Sequence, residues 1–309
     1  MERNLSAFPK IWSLGTPETQ DVFDGPVEIT EKIDGSQFVF GKINGELKFR
    51  SKGAIINMGA PPKLFAPAHD YICSIEHLIP DNYCFYGETL ATPRHNILAY
   101  GRVPTNHIAL FGAQDLTTNS FDGYQALQEW SNQFDVDTVP VLILGTFAFS
   151  MEAFNLLLQG ESYLGGVPIE GVVVKNYAKA IMKGNLLFPL LSAKYVSEAF
   201  KEKHAKDWSS EKTGSGRYQM FLSQYASEAR WNKAIQRLEE SELLTRSPKD
   251  IGPLIKLIQT DVLDESKSEI MEALYKIFRE DIARASIRGF PQWYKDKLLT
   301  TLENEDGKV

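Results

Sequence analysis

A lysine, followed two residues later by an acid and then by a glycine, is the feature of this sequence with the clearest chemical potential. Lys32, Asp34 and Gly35 directly follow the alternating apolar and polar residues 27–30. This pattern predicts a strand that runs into a tight turn, with an amine at the strand end. A crowded or desolvated lysine can become a nucleophile, and the glycine is expected to supply unusual backbone angles and close ligand approach. Taken alone, the pattern also fits a hairpin with a surface lysine.

Further segments carry charged or aromatic side chains in short apolar runs that are typical of strands. These side chains are Arg50, Glu88, Phe111, Glu170, Lys175 and Lys194. Each has an ordinary structural explanation, such as a surface charge or a core aromatic ring. Their joint occurrence in this order is much less probable by chance, so we treat them together with Lys32 as one candidate site.

Residues 8–200 are predicted to form short strands with frequent turns. The predicted strands are Val27–Thr30, Gln37–Lys42, Leu47–Arg50, Cys84–Gly87, Ile108–Gly112, Val139–Leu144 and Gly171–Asn176. The second and third strands form a hairpin around Asn44-Gly45. Helical spacing of apolar residues predicts helices over Ser120–Phe134 and Ser150–Gly160. The fold class is therefore α+β with mostly antiparallel strands.

The character of the sequence changes after a polar, glycine- and serine-rich stretch at 207–217, which is typical of a linker. We predict one domain over 1–206 and a small all-helical domain over 218–309. Apolar stripes at helical spacing begin with Phe221, Trp231 and Ile235 and continue to Phe278 and Ile282, and Trp293, Leu298 and Leu299 suggest a last helix. Most of these residues are expected to form a bundle core.

Composition excludes several classes of protein. An apolar fraction of 43% is ample for a packed core, and no apolar run has membrane-spanning length. Two cysteines form neither a disulfide framework nor a zinc site. With no signal-peptide pattern, we expect a soluble cytoplasmic protein that does not bind membranes. A net charge of −7 means that any nucleic-acid enzyme of this composition must concentrate its basic residues on one face.

The order and spacing of these segments over 8–205 resemble the covalent nucleotidyltransferase superfamily of ligases and capping enzymes. The similarity is greatest to ATP-dependent RNA ligases with an N-terminal adenylyltransferase domain and a helical C-terminal domain. The turn at Lys32 and the strand Glu170–Lys175 are its most specific parts, and Arg94-His95 is similar to a basic segment of some relatives. The implied fold is an antiparallel-sheet nucleotidyltransferase (ATP-grasp-like ligase) domain followed by the helical one.

The resemblance implies that Lys32 attacks the α-phosphate of ATP to form lysyl-AMP. AMP then passes to a 5′-phosphate, and a 3′-hydroxyl displaces AMP to seal the strand. Lys194 would stabilise the α-phosphate, and Glu170 would hold Mg²⁺ or Mn²⁺. Because an ordinary lysine is protonated at neutral pH, the pKa of Lys32 is expected to be lowered, by desolvation or by the charges of Lys194 and Lys175.

The same resemblance implies roles for the remaining residues. Glu88 would accept hydrogen bonds from the ribose, Phe111 would stack on the adenine, and Lys175 would lie in the pocket. Nucleotide contacts are also expected from Glu31, Asp34, Gly35 and Arg50, and substrate contacts from Arg50, Lys52, Arg94 and His95. Two positions depart from the family pattern: Ser192 stands where relatives often have a lysine, and Gly112-Ala113-Gln114 separates Phe111 from the next acid, Asp115.

The expected partner is RNA, as a nicked duplex or an RNA/DNA hybrid, and the expected state is a monomer. A minimal DNA ligase or hybrid ligase is the alternative, although DNA ligases usually have an arginine where this chain has Gln37. A capping guanylyltransferase and a catalytically silent nucleic-acid-binding module are further alternatives. The helical domain is either a stabilising appendage or a duplex clamp that contacts phosphates through Arg230, Lys233 and Arg237.

Overall fold

The structure is a computed structural model that describes residues 4–95, 98–183, 186–196, 221–222 and 224–297. The predicted linker at 207–217 lies outside the described residues, as do Leu298 and Leu299. The chain divides into two compact units. The first comprises Met1–His204 and Ser227–Ile258, and the second comprises Ala205–Ala226 and Gln259–Val309. The predicted division at 206 and 218 stays a prediction, since the segment Ser227–Ile258 groups with the first unit.

A five-stranded sheet in the described part of the first unit carries the predicted nucleophile. Its strands, in spatial order, are β1 (Trp12–Ser13), β14 (Leu191–Val196), β11 (Gly171–Asn176), β2 (Pro26–Lys32) and β10 (Val141–Thr146). All pairs are antiparallel except β1–β14. Apolar side chains of β2 and β11 pack with Phe154 in one core. Because side chains alternate along a strand, Thr30 and Lys32 occupy the opposite face.

A second sheet in the described residues faces the other side of the candidate site. Its order is β5 (Ile55–Ile56), β4 (Glu46–Ser51), β3 (Ser36–Ile43), β6 (Tyr83–Thr89), β7 (Ile108–Asp115) and β8 (Ser120–Phe121), with β9 (Asp137–Thr138) on β7. The predicted β3–β4 hairpin is confirmed. Its turn residues Asn44 and Gly45 have φ of 55° and 77°, as a type I′ turn requires.

Helices α1 (Ala66–Ser74) and α2 (Tyr124–Phe134) cover the second sheet, and α3 (Met151–Leu157) packs on the first. The sequence pattern did not predict α1. The helix predicted from Ser120 begins instead at Tyr124, because Ser120–Phe121 pairs with β7 as an edge strand. A separate two-stranded antiparallel sheet pairs β12 (Ile181–Lys183) with β13 (Leu186–Phe188).

Helix α4 (Glu228–Glu240) belongs to the first unit and buries a different face from the one predicted. Arg230, Ala234 and Leu238 are its buried residues, whereas Trp231 and Ile235 are 46% and 38% exposed. The predicted core role of Trp231 and Ile235 is therefore wrong. The phosphate-contact hypothesis is also wrong for Arg230, because only 2% of this residue is exposed.

Helix α5 (Ile251–Glu265) follows a capping box at Ser247 and Asp250. The second unit contains the end of α5, α6 (Lys267–Ser286) and helical residues 290–297, so its described part from Gln259 onward is predominantly helical. Phe278 and Ile282 are exposed on α6 rather than buried in a bundle core. None of the helices in the described residues combines the length and apolar character needed to cross a membrane.

Candidate active site

Lys32 lies at the end of β2 and forms an ion pair with Glu170, the residue before β11. The Lys32 ammonium donates to both carboxylate oxygens, at 2.8 and 2.7 Å. The two side chains are 28% and 12% exposed. The strand register places Lys32 opposite Gly171, which brings Glu170 to the amine across 138 residues of sequence. Lys32 is therefore partly enclosed and directly paired with another predicted site residue.

The electrostatic state of Lys32 is the reverse of the predicted one. Burial lowers its pKa, but the carboxylates of Glu170, Asp34 and Glu88 outweigh burial, so the pKa of Lys32 is raised above its ordinary value. The expected lowering by Lys194 and Lys175 is wrong for this arrangement. Lys175 is neutralised by its own acid, and Glu170 stands directly against the Lys32 amine. The surrounding carboxylates thus keep Lys32 in its protonated, ammonium form.

The turn after Lys32 is held by hydrogen bonds at successive residues. Tyr100 accepts from the backbone N–H of Asp34 at 2.8 Å, and the Asp34 carboxylate accepts from the N–H of Leu98 at 3.2 Å. The N–H of Gly35 donates to Glu88 Oε1 at 3.2 Å. Each of these bonds restricts the backbone that follows the nucleophile.

Gly35 is required for space rather than for backbone angles. It is not among the glycines with positive φ, so the expected unusual angles are wrong. A Cβ at this position would lie 2.7 Å from the Thr89 carbonyl oxygen and 2.8 Å from Glu88 Cγ. The turn therefore approaches β6 of the same chain closely at Gly35, whereas close approach of a ligand stays a prediction.

Glu88 is the second carboxylate of the site, and its pKa is raised towards neutral pH. Burial raises its pKa most, and Glu170, Asp34 and Glu240 raise it further, while Lys32 lowers it; the result is a pKa of about 8. Burial likewise raises the pKa of Glu170, which Lys32 reduces. Burial and the neighbouring acids thus raise the pKa of both carboxyl groups, and a cation bound among them would oppose this effect.

Lys175 lies in the interior between the two sheets. Its ammonium donates to Glu28 Oε1 and to the carbonyl oxygen of Phe111, both at 2.7 Å, and the Lys175 and Glu28 side chains are each 1% exposed. Tyr177 donates to the other oxygen of Glu28 at 3.0 Å. Phe111 packs edge-on against Phe8, with ring centroids 5.1 Å apart. Lys175 thus contacts the backbone of the predicted adenine-stacking residue, and its direct contact with nucleotide stays a prediction.

Lys194 is placed on the same sheet face as Lys32 by the register of β14, β11 and β2. Val173 pairs with Lys194 on one side and with Thr30 on the other. Lys194 also acts on Glu170, whose pKa it helps to lower. Ser192 is fully buried, and its hydroxyl has no hydrogen-bond partner within the described part of the chain. An uncharged, enclosed side chain therefore occupies this position of β14.

The other predicted site residues are dispersed around this centre. Arg50 donates to the carbonyl oxygen of Leu5 at 2.8 Å and to that of Ser51 at 3.1 Å. Lys52 and Arg94 are exposed. Glu31 points away from Lys32 along the strand. It is buried, and it accepts from the Ser162 hydroxyl and from the N–H of Tyr163 at 3.2 Å. Their contacts with nucleotide or RNA stay predictions.

Several residues of this site were not anticipated from the sequence. Tyr100 and Ser162 support the residues on either side of Lys32. Gln236 and Glu240 of α4 reach the turn as well. Ser36 stands in the motif itself and could have been singled out, whereas α4 has the composition of a surface helix and offers no such signal.

The resemblance implies a divalent cation, so we compared the carboxylates of the site with the ligands that such a cation needs. Among the described residues, no group of three His, Cys, Asp or Glu side chains is arranged to hold a metal ion. Mg²⁺ is usually bound through one or two carboxylates together with substrate phosphates, rather than by a protein cage. Glu170, with Glu88 and Asp34 acting on the same amine, fits that mode. The arrangement as a whole suits phosphoryl chemistry at Lys32 Nζ.

Comparison with known proteins gives the following matches. A family model described as RNA ligase matches residues 25–196. A solved structure of Naegleria gruberi RNA ligase with PPi is 20% identical, with a TM-score of 0.48, over 66% of this chain and 61% of that one. A mutant of that ligase with ATP and Mn is 16% identical, with a TM-score of 0.48, over 64% and 57% of the two chains. This chain thus spans less than two thirds of the length of these solved chains. Comparison with curated proteins gives no match.

Proposed function

We propose that this chain, which belongs to the RNA ligase family, is an ATP-dependent enzyme that joins a 3′-hydroxyl to a 5′-phosphate of RNA. The observation that carries the proposal is the placement of Lys32 at a strand end, 2.7 Å from Glu170 and under the influence of Asp34 and Glu88. These groups come from three distant parts of the chain. A structural lysine would not need three carboxylates around it.

In the proposed first step, the Lys32 ammonium loses one proton to solvent, and Nζ attacks the α-phosphorus of ATP. The bond from that phosphorus to the bridging oxygen breaks, pyrophosphate leaves, and a second proton passes from Nζ to solvent. The phosphoramidate bond forms on Lys32. We propose that Lys194, on the same sheet face, offsets the negative charge that gathers on the α-phosphate, which its strand register supports. Glu88 and Phe111 are proposed to bind the ribose and the adenine, with Lys175 fixing the backbone of Phe111.

Glu170 is the residue that would hold Mg²⁺ or Mn²⁺, which supplies positive charge at the phosphates when bound. Release of Glu170 from the ion pair would remove the largest effect that raises the pKa of Lys32. Burial, which lowers that pKa, would then be opposed by Asp34 and Glu88 but no longer by Glu170. The raised pKa of Lys32 in the protein without nucleotide is thus compatible with its proposed role as the nucleophile.

In the second and third steps, AMP passes to a 5′-phosphate and a 3′-hydroxyl displaces it. We propose RNA rather than DNA as the substrate. Gln37, at the position where DNA ligases have an arginine, accepts from the N–H of Phe8 at 3.3 Å and so has a structural role. The described segment after residue 226 is helical instead of a β-barrel. Action as a monomer in the cytoplasm on nicked duplexes or hybrids belongs to the same proposal.

The test is a sealing assay over a matrix of RNA and DNA ends, with ATP and Mg²⁺. We expect sealing of an RNA 3′-hydroxyl to a 5′-phosphate and none without the 5′-phosphate. Lys32→Arg keeps the positive charge but cannot form the phosphoramidate, and should be inactive. Sealing of all-DNA nicks alone would assign a DNA ligase. Failure of every combination, with no AMP transferred to the 5′-phosphate, would overturn the proposal.

A further inference from the structure

Two side chains on α4, one helical turn apart, bind the turn that follows Lys32. Gln236 Nε2 lies 3.1 Å from the carbonyl oxygen of Gly35, 2.8 Å from Ser36 Oγ and 2.8 Å from Glu240 Oε1. Ser36 Oγ donates to Glu240 Oε1 at 2.5 Å. All these residues belong to the first compact unit. The contact is therefore part of the same body as the sheets.

The hydroxyl of Ser36 has its hydrogen-bonding capacity filled by this contact and by His95. The N–H of Ala91 donates to His95 Nδ1 at 3.2 Å, so the ring proton lies on Nε2. His95 Nε2 then donates to Ser36 Oγ at 2.9 Å. Burial lowers the pKa of His95 to about 4, which keeps the ring neutral at physiological pH. Ser36 thus accepts from His95 and Gln236 and donates to Glu240.

The contact with α4 completes the support of the turn. Asp34 is held by Tyr100 and Leu98, and the N–H of Gly35 is held by Glu88. Gln236 binds the carbonyl oxygen of that same glycine. Both peptide groups of Gly35 are therefore fixed, three residues from the nucleophile. Without α4, the turn would keep its contacts with Glu88, Tyr100 and Leu98 but lose those that α4 makes with Gly35 and Ser36.

We propose that Gln236 and Glu240 are positioning residues for the attack of Lys32 on the nucleotide. The segment of the chain that follows the predicted linker then takes part in lysine nucleotidylation, and not only in substrate binding or stability. This inference rests on the proposed function. It predicts a selective effect, since sealing of a strand that already carries AMP requires no attack by Lys32.

The experiment measures two rates in the full-length protein. One is the single-turnover formation of labelled lysyl-AMP, and the other is the sealing of a pre-adenylylated RNA strand. Gln236→Met keeps the side-chain length without the donor, and Glu240→Ala removes the acceptor. Each should slow lysyl-AMP formation at saturating ATP at least tenfold while pre-adenylylated strands are sealed within about threefold of wild type. Glu240→Gln keeps an oxygen acceptor for Ser36 and should restore most of the rate.

Glu239→Ala is the matched control, because Glu239 is on the same helix and pairs with the exposed Arg246 at 2.8 Å. It should leave both rates unchanged. An unchanged or faster rate of lysyl-AMP formation in Gln236→Met and Glu240→Ala would overturn the inference, as would an equal loss of both rates. If wild type forms no lysyl-AMP, the proposed function itself fails, and the two failures are thereby distinguished.

Discussion

Removing the charge of Glu170 should lower the pKa of Lys32 in the protein without nucleotide. The two groups are 2.7 Å apart, and Glu170 contributes the largest effect that raises this pKa. Two unit charges 4 Å apart at an effective dielectric constant near 20 interact by about 4 kcal/mol. Because 28% of the Lys32 side chain is exposed, solvent screening reduces this energy, and we take about 2–3 kcal/mol. At about 1.4 kcal/mol per unit, Glu170→Gln should lower the pKa of Lys32 by about two units.

The assay is competitive acetylation at a series of pH values, with mass spectrometry of the peptide that contains Lys32. Below its pKa, each unit by which the pKa falls raises the neutral fraction of an amine about tenfold. Lys32 in Glu170→Gln should therefore react about a hundredfold faster than in wild type near pH 8, without any nucleotide or metal.

Asp24→Asn is the matched control, since Asp24 pairs with the surface residue Lys179 at 3.4 Å. It should leave the reactivity of Lys32 unchanged. Equal or lower reactivity of Lys32 in Glu170→Gln, in a variant that melts as cooperatively as wild type, would refute the electrostatic reasoning.

Three further predictions concern stability. Glu88 has a pKa of about 8 against an ordinary value of 4.5, so the folded state binds more protons between these values and loses stability as pH rises. Glu88→Gln should remove the contribution of Glu88 to this pH dependence, which is at most about 1.4 kcal/mol per pH unit, in denaturant titrations from pH 5 to 8. An identical pH dependence of stability in the variant would contradict the raised pKa of Glu88. Lys175→Met leaves Glu28 buried without its cation and should lower the free energy of unfolding by about 3–5 kcal/mol. Glu28→Met combined with Lys175→Met should recover most of it, and simple additivity would disprove the pairing. Gly35→Ala should lower stability by about 1–3 kcal/mol through overlap with Thr89, and a stability equal to wild type would show that the turn can move.

Local patterns predicted the elements that carry their own signals. The run Gly171–Asn176 is a strand with the predicted bounds, because three valines between a glycine and a lysine fit a buried strand. The Asn44-Gly45 turn was predictable for a similar local reason, since both residues accept positive φ. Lys32 and Glu170 could be singled out by residue type and motif order alone.

What depends on distant contacts was not predictable from the sequence. The raised pKa of Lys32 results mainly from Glu170, with further effects of Asp34 and Glu88 that together outweigh burial. No local pattern states how close Glu170 and Glu88 come to the amine. The buried face of α4 was predicted wrongly from the spacing of its apolar residues. The helix also binds the turn after Lys32 through the polar side chains of Gln236 and Glu240, and apolar spacing gives no signal for such contacts.

The most direct test of the central claim is to find where a nucleotide becomes attached to the protein. After incubation with Mg²⁺ and ATP labelled in the α-phosphate, peptide mapping should locate one AMP on Lys32 through an acid-labile, base-stable phosphoramidate bond. The label should be absent in Lys32→Ala. A wild-type protein that never becomes labelled, or one that carries AMP on another residue while Lys32→Ala labels equally well, would contradict the account.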